Sequence, residues 1–235
     1  MNPTALIVSH GQPSDPDPAE AELALLAGEV AALLPDWDVR AATLAKPGAL
    51  EAAVKGGPGV VYPMFMAGGW FTKAHLPQRM AEVGAAGWHH LPPFGLDAAV
   101  HALCVGLAME AAAAMRRAPA ACDILLAAHG SLRSPAPSEV ANAMTARLRG
   151  AGFARAEAYF IDQDPRIATA RGFGTNALCL PFFAAKGGHV VDDLPKALSE
   201  AGFAGTVLPP LGLDRRVPGL IARAIAGWDS PPPAG

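Results

Sequence analysis

The chain has 235 residues, 51% hydrophobic and 17% charged, with a formal net charge of −3. That length gives one large domain or two small ones, with a core that needs neither disulfides nor a structural metal. It excludes intrinsic disorder, a run of about 18 apolar residues that would cross a membrane, and the basic footprint of a nucleic-acid binder, since Lys and Arg number only 18.

Met1-Asn2-Pro3-Thr4 carries no basic residue and the apolar run behind it stops at Ser9-His10-Gly11, so no signal peptide is read and a cytoplasmic location is expected. Residues 4–9 are a short apolar run suited to a buried parallel strand. Asp17-Pro18-Ala19-Glu20 offers an N-cap, a proline at the first helical position and a carboxylate in the first turn; Leu23, Leu26, Val30 and Leu33 then recur on one helical face. Further strands are predicted near 39–44, 59–64 and 88–91, and helices near 48–55, 72–84 and 96–115. Arg116-Arg117-Ala118-Pro119-Ala120-Ala121 reads as a linker. Beyond it come strand 123–128, helix 138–149, strand 156–161, helix 166–171, strand 176–181, helix 190–201, strand 205–208 and helix 214–227. Cys104, Cys122 and Cys179 are odd in number, widely spaced and without a Cys-x-x-Cys pair, and so read as buried free thiols.

The second series repeats the first. Ala5 to Gly11 matches Ile124 to Gly130 at an offset of 119; Val60 to Phe65 matches Leu178 to Phe183, with the prolines offset by 118. Leu76-Pro77 matches Leu194-Pro195, and Pro92 to Asp97 matches Pro209 to Asp214 at an offset of 117. Four matches in one order at a near-constant offset mark a tandem duplication. The fold expected is α/β: two similar parallel-sheet domains, 1–117 and 118–235, with helices on both faces and right-handed crossovers.

In an open parallel sheet, ligands bind at the carboxyl ends of the strands. His10 and His129 each follow the first strand of their half, Asp162 ends the second strand of the second half, and His189 lies in the loop after its third. Two imidazoles and a carboxylate at one sheet edge suit a divalent first-row cation or proton transfer near neutral pH. Each residue also has a plainer role open to it: a His after a strand can bond a turn, and an Asp there can form one. His89, His90 and His101 fall outside the pattern and read as surface or packing residues. Gly172-Phe173-Gly174-Thr175-Asn176-Ala177 has the letters of a dinucleotide fingerprint but precedes a strand, so the helix start that binds phosphate is missing. Ser9 and Ala128 stand where histidine phosphatases carry Arg before the His, and the chain has neither a Gly-x-Ser-x-Gly elbow nor a P-loop.

The run from Ile124 to Ser131, together with Leu180-Pro181-Phe182-Phe183-Ala184-Ala185-Lys186-Gly187-Gly188-His189-Val190-Val191-Asp192-Asp193-Leu194-Pro195 and the closing Pro210 to Gly212, resembles the class II chelatases. These are the sirohydrochlorin cobaltochelatases and ferrochelatases of cobalamin and siroheme synthesis, built as one such domain or a fused pair. The resemblance spans essentially the whole chain and is most specific at Gly-Gly-His. It implies that His129 and His189 bind the incoming metal and assist removal of the pyrrole protons. In some members a Glu near the end of the second strand joins the metal shell. Asp162 approaches that place, although alignment on Pro165 puts Ile161 there.

The first half departs from the pattern. His10 is kept, but Phe71 falls where His189 does, and Thr43 or Leu44 replaces the acidic residue. His75 aligns with Asp193, one helical turn after Phe71. The working site is therefore expected in the second half, with His10 and His75 as secondary candidates. A flat, large macrocycle suits a cleft between two domains, with Phe182, Phe183, Met64, Phe65 and Trp70 as candidate contacts to the ring faces. The many carboxylates of sirohydrochlorin favour a basic rim, for which Lys186, Arg133, Arg166 and Arg215 are the candidates. The expected reaction is insertion of Co2+ or Fe2+ into sirohydrochlorin or a close relative, with the metal as substrate, no organic cofactor, and no nucleic-acid or membrane partner. Neutral imidazole is the form that binds metal and accepts protons, so activity is expected to fall below about pH 6.5. The alternatives are a non-catalytic tetrapyrrole- or metal-binding homologue, and a metal-independent hydrolase or transferase using the same strand-edge His.

Overall fold

A computed structural model describes residues 2–228; Met1 and 229–235, which the expected domains take in, lie outside the described residues. In chain order the elements are β1 (Thr4–Ser9), α1 (Pro16–Leu33), β2 (Asp38–Thr43), α2 (Ala49–Ala53), β3 (Gly59–Pro63), α3 (Leu76–Glu82), β4 (His89–His90) and α4 (Ala98–Ala114). The second series is β5 (Asp123–Ala128), α5 (Ala136–Gly150), β6 (Arg155–Phe160), β7 (Ala177–Pro181), α6 (Leu194–Ala201), β8 (Thr206–Val207) and α7 (Val217–Ala226). The strands form two four-stranded parallel sheets of the same order, β2-β1-β3-β4 and β6-β5-β7-β8.

The sequence pattern explains the strand order. Ala5, Leu6, Ile7 and Val8 of β1, and Ile124 to Ala127 of β5, have no exposed surface, as a central parallel strand covered on both faces requires. The edge strand β6 alternates instead, burying Ala156, Ala158 and Phe160 while Arg155, Glu157 and Tyr159 stay partly exposed. Behind β5 and β7, Ile167, Phe173, Leu194 and Leu198 pack into one core; Leu50, Leu76, Met80 and Trp88 do the same behind β1 and β3. All three cysteines are free and buried. Among the described residues no helix is long and apolar enough to cross a membrane.

The compact units do not coincide with the halves 1–117 and 118–235. Among the described residues, one unit comprises 2–65, 70–94 and 215–228, the other Met66–Gly69 and Gly95–Asp214. Helix α4, though it closes the first repeat, packs on α5 and β7; α7, at the end of the second, packs on α1 and β3. Each sheet is thus completed by a helix from the opposite repeat. Repeat offsets identify equivalent elements but carry no information about which sheet an element covers.

Three local differences from the sequence reading have physical causes. Helix α1 begins at Pro16, with Asp15 rather than Asp17 at the N-cap, because Pro16 presets a helical φ two residues before Pro18 does. Residues 166–171 form only a 3₁₀ turn, Ile167–Thr169: Thr169 Oγ1 donates to the Arg166 carbonyl and the backbone extends again at Ala170. The helices after β3 and β7 each open with a π-helical turn, Phe71–His75 and His189–Asp193, in which the Leu76 and Leu194 N–H groups bond the carbonyls five residues back.

Candidate metal centre

The strands β5, β6 and β7 end nearly level, with Ala128 paired to Phe160 and Ala127 to Pro181. After β5 the chain moves to one side of the sheet, through α5, and after β6 it crosses to the other. The carboxyl ends of β5 and β7 therefore flank the point where strand order reverses, the usual ligand crevice of such sheets. His129 follows β5 directly, and His189 begins the π-helical turn after β7.

Gly130 explains why histidine is followed by glycine here. Its φ is +75°, and a Cβ at that position would lie 2.7 Å from Gln163 Cβ and 2.9 Å from Phe160 Cβ. Only glycine allows the chain to turn so close to the end of β6. Gly11 meets the same constraint, with a φ of +75° and Thr43 Cβ at 2.8 Å. The turn is held by the Asp162 N–H donating to the His129 carbonyl at 2.9 Å and the Ser131 N–H donating to Gln163 Oε1 at 3.0 Å.

His129 Nε2 and His189 Nε2 stand 3.0 Å apart, with the rings nearly perpendicular at 88°. Asp162 Oδ2 lies 3.6 Å from His129 Nε2. The three ligand atoms lie within 4.8 Å of one another, the one such cluster of three or more among the described residues. All three side chains are about half exposed, at 46–48%.

The orientation of the rings is set from behind. His189 Nδ1–H donates to Asp193 Oδ2 at 2.8 Å, four residues along the π-helical turn, and His129 Nδ1–H donates to the Gly130 carbonyl at 2.8 Å. Carboxylate and carbonyl oxygens can only accept, so in each neutral ring the hydrogen sits on Nδ1 and the Nε2 lone pair is free. Two lone pairs facing each other at 3.0 Å repel unless a proton or cation lies between them. Imidazole nitrogens each about 2.0–2.1 Å from one first-row cation stand about 2.9–3.4 Å apart at bond angles near 90–110°. The donor set fits such a cation, with the carboxylate as third ligand and orienting oxygens behind both imidazoles.

Sequence reasoning assigned no role to Asp193 or Gln163. The signal for Asp193 was its spacing of four from His189, which places both on one face of a helical turn; for Gln163 no sequence signal existed. Between Asp162 and Ile161 the structure discriminates: Ile161 packs against the core behind β5, whereas Asp162 turns toward His129.

The equivalent place in the first unit is built differently. His10 follows β1, but its ring lies against Phe71 at 4.6 Å between centroids. Burial, followed by the proximity of His75, holds His10 below the ordinary histidine pKa. His75 stacks on Trp70 at 4.7 Å and 17°, and meets Phe71 edge-on at 5.7 Å. No cluster of three metal-ligating groups forms there among the described residues. Thr43 ends β2, where its N–H and Oγ1 donate to Glu20 Oε2 at 2.7 and 2.6 Å.

Of the candidate ring contacts, Met64, Phe182 and Phe183 are buried to 7% exposure or less, so they serve the core and cannot meet a ligand. Phe65 packs partly against the core of its unit, and Trp70 is 60% exposed. Among the candidate rim residues, Lys186, Arg133 and Arg215 are exposed. Arg166 is exposed as well but is engaged by the Ile161 carbonyl and lies 4.0 Å from Asp164, which ties it to the loop after β6.

A family profile named CbiX matches residues 123–227. The structure of CbiX, the terminal enzyme for biosynthesis of siroheme in denitrifying bacteria, is 48% identical, with 96% of this chain and 100% of that chain aligned at a TM-score of 0.89. SirB from Bacillus subtilis with Fe3+ is 14% identical, covering 96% of this chain and 95% of its own at a TM-score of 0.72. SirB from Bacillus subtilis subspecies spizizenii in complex with cobalt is 16% identical, covering 96% and 94% at a TM-score of 0.65. At these identities the two SirB structures speak for the shared fold. No curated protein sequence gives a significant match.

Proposed function

Because this chain belongs to the CbiX family of class II chelatases, we propose that it inserts Co2+ or Fe2+ into sirohydrochlorin or a close relative, with the centre at the carboxyl ends of β5 and β7 as the working site. The observation that carries the reading is the pair of Nε2 atoms 3.0 Å apart, each made a bare acceptor by an oxygen behind its own ring.

The reaction exchanges one divalent cation for two pyrrole N–H protons, so charge balances when both protons leave. His129 and His189 hold the incoming cation through Nε2, and the Asp162 carboxylate adds an oxygen as third ligand and a compensating charge. When the cation passes to the ring nitrogens, the two Nε2 lone pairs are released and accept the two pyrrole protons. The imidazoles are about half exposed, so those protons pass on to water. Asp193 and the Gly130 carbonyl take no proton; they keep the hydrogens on Nδ1 so that both lone pairs stay aimed at one point. Lys186, Arg133 and Arg215 are free to pair with substrate carboxylates, whereas Arg166 is held by its own loop.

The test is spectroscopic: protein, Co2+ and sirohydrochlorin are mixed and the visible spectrum is followed. Turnover beyond one equivalent per chain that is lost on His189→Ala supports the proposal. A change that stops at one equivalent assigns a binding protein, and turnover without added metal-dependence overturns the chelatase reading.

A further inference from the structure

Both units make the same turn after their first strand, but only one of them clasps it with a side chain. In the second unit the Ile161 N–H donates to the Ala128 carbonyl at 3.0 Å and the Asp162 N–H to the His129 carbonyl at 2.9 Å. In the first, the Leu44 and Ala45 N–H groups make the same bonds to the Ser9 and His10 carbonyls, both at 3.0 Å. Gly11 and Gly130 share a φ of +75°. By this register Gln163 stands where Lys46 stands in the first unit. The Lys46 ammonium has no acceptor and pairs instead with Asp17. Gln163 Oε1 accepts the Ser131 N–H at 3.0 Å. The His-Gly turn therefore folds without this side-chain bond. Among the described residues the bond occurs only in the unit that brings His129, Asp162 and His189 together.

What the bond does follows from the peptide group it engages. The Ser131 N–H and the Gly130 carbonyl belong to one planar trans peptide and point in opposite directions. That carbonyl accepts the His129 Nδ1–H at 2.8 Å. Two hydrogen bonds in series thus run from Gln163 Oε1, through the Gly130–Ser131 peptide, to the back of the His129 ring. An N–H can only donate, so the atom of Gln163 that faces it is the oxygen. Fixing the N–H end keeps the peptide plane from rotating. The bond accepted by Gln163 also polarises the amide and makes its carbonyl a stronger acceptor. His189 has a carboxylate directly behind its ring, whereas His129 has only this neutral carbonyl.

We propose that Gln163 is a positioning residue for the metal centre: through the Gly130–Ser131 peptide it holds the hydrogen of His129 on Nδ1 and the Nε2 lone pair toward His189. The assignment rests on the reading of His129 as a metal ligand in a chelatase site.

The experiment sets Gln163→Ala, Gln163→Lys and Gln163→Glu beside the wild-type full chain. The first unit folds its turn with lysine at this place, so the Ala and Lys variants are expected to melt cooperatively within about 4 °C of the wild type. Neither has an acceptor, and both should lose Co2+ affinity by about 3–10-fold in a visible-absorption titration. Gln163→Glu keeps an acceptor oxygen and should recover most of that loss. Long-range proton–nitrogen NMR spectra of the metal-free protein, recorded above the histidine titration range, report the tautomer. The His129 signals are assigned by their loss in His129→Gln. The wild type and Gln163→Glu should show the Nδ1–H form, and the other two variants a mixture with Nε2–H. An unmixed Nδ1–H tautomer in Gln163→Ala and Gln163→Lys overturns the positioning role, and intact turnover in the same variants leaves the chelatase reading standing. Equal losses of affinity in Gln163→Glu and Gln163→Ala overturn it too, because the acceptor oxygen would then be irrelevant. A wild-type chain that binds no Co2+ overturns both readings, whereas one that binds Co2+ without turnover overturns the chelatase reading alone.

Discussion

Removing the carboxylate behind His189 is the sharpest test of how the proposed metal centre is held. The His189–Asp193 bond is 2.8 Å long and joins side chains that are 46% and 51% exposed. A hydrogen bond to a charged acceptor contributes about 1.5–3 kcal/mol when shielded. Half exposure to solvent lowers that to about 1–2 kcal/mol. Asp193→Ala should therefore weaken Co2+ binding by about 5–30-fold, because Nδ1 loses its partner and the ring is no longer aimed at His129. Asp193→Asn keeps an oxygen acceptor and loses only the charge, so its effect should be about 2–5-fold. Asp192→Ala removes an equal charge one residue away and should stay within about twofold. The assay is a Co2+ titration by visible absorption near neutral pH, with thermal melts to verify folding. Equal losses from Asp192→Ala and Asp193→Ala would show that only diffuse charge matters, and an unchanged affinity in Asp193→Ala would refute the orienting bond.

Gly130→Ala forces a Cβ to within 2.7 Å of Gln163 Cβ at a φ of +75°, so a loss of about 2 kcal/mol or more, or about 4–8 °C in Tm, is expected; an unchanged melt would refute the close approach. Burial pushes the thiols of Cys104 and Cys179 up to about 12, so neither should react with iodoacetamide in mildly alkaline buffer until the protein is unfolded, as mass spectrometry would show. His10 is held below its ordinary pKa, so the unfolded chain takes up a proton first as pH falls; stability from this group is complete above about pH 6.5 and declines below it. Denaturant melts of His10→Gln should accordingly lose less stability than the wild type between about pH 7 and 5, and parallel curves would refute the assignment. Because α4 and α7 are exchanged between the sheets, the fragment 118–228 lacks the helix that covers β7, whereas 95–214 keeps it. Only 95–214 should melt cooperatively, and a cooperative melt of 118–228 would show that the exchange is dispensable.

Much of the site could be read from the order of residues because parallel strands deliver consecutive strand ends to one edge. His129, Asp162 and His189 are separated by 33 and 27 positions, yet each follows a strand, and the sheet brings their ligand atoms within 4.8 Å. The third candidate ligand was less legible: Asp162 and Ile161 are neighbours, and which one turns toward His129 depends on where β6 stops pairing. The aromatic residues were ambiguous for a similar reason. Met64, Phe182 and Phe183 look like ring contacts in sequence, but hydrophobicity alone does not distinguish a residue that faces the core from one that faces a ligand. Glu20, which reaches the end of β2 from α1, gave no signal, since a long-range contact between a helix and a strand end leaves no local pattern.

The sequence by itself determined the duplication, the two parallel sheets, the free thiols and the His-Gly turns, because each rests on local chemistry: apolar runs make buried strands, and a left-handed turn at close quarters requires glycine. The tertiary structure alone decided which helix covers which sheet, which carboxylate meets His129, and which oxygens fix the two imidazoles with their lone pairs face to face. Those features depend on contacts between residues tens of positions apart. A chain specifies such contacts only through the packing of the whole, and no window along it contains both partners.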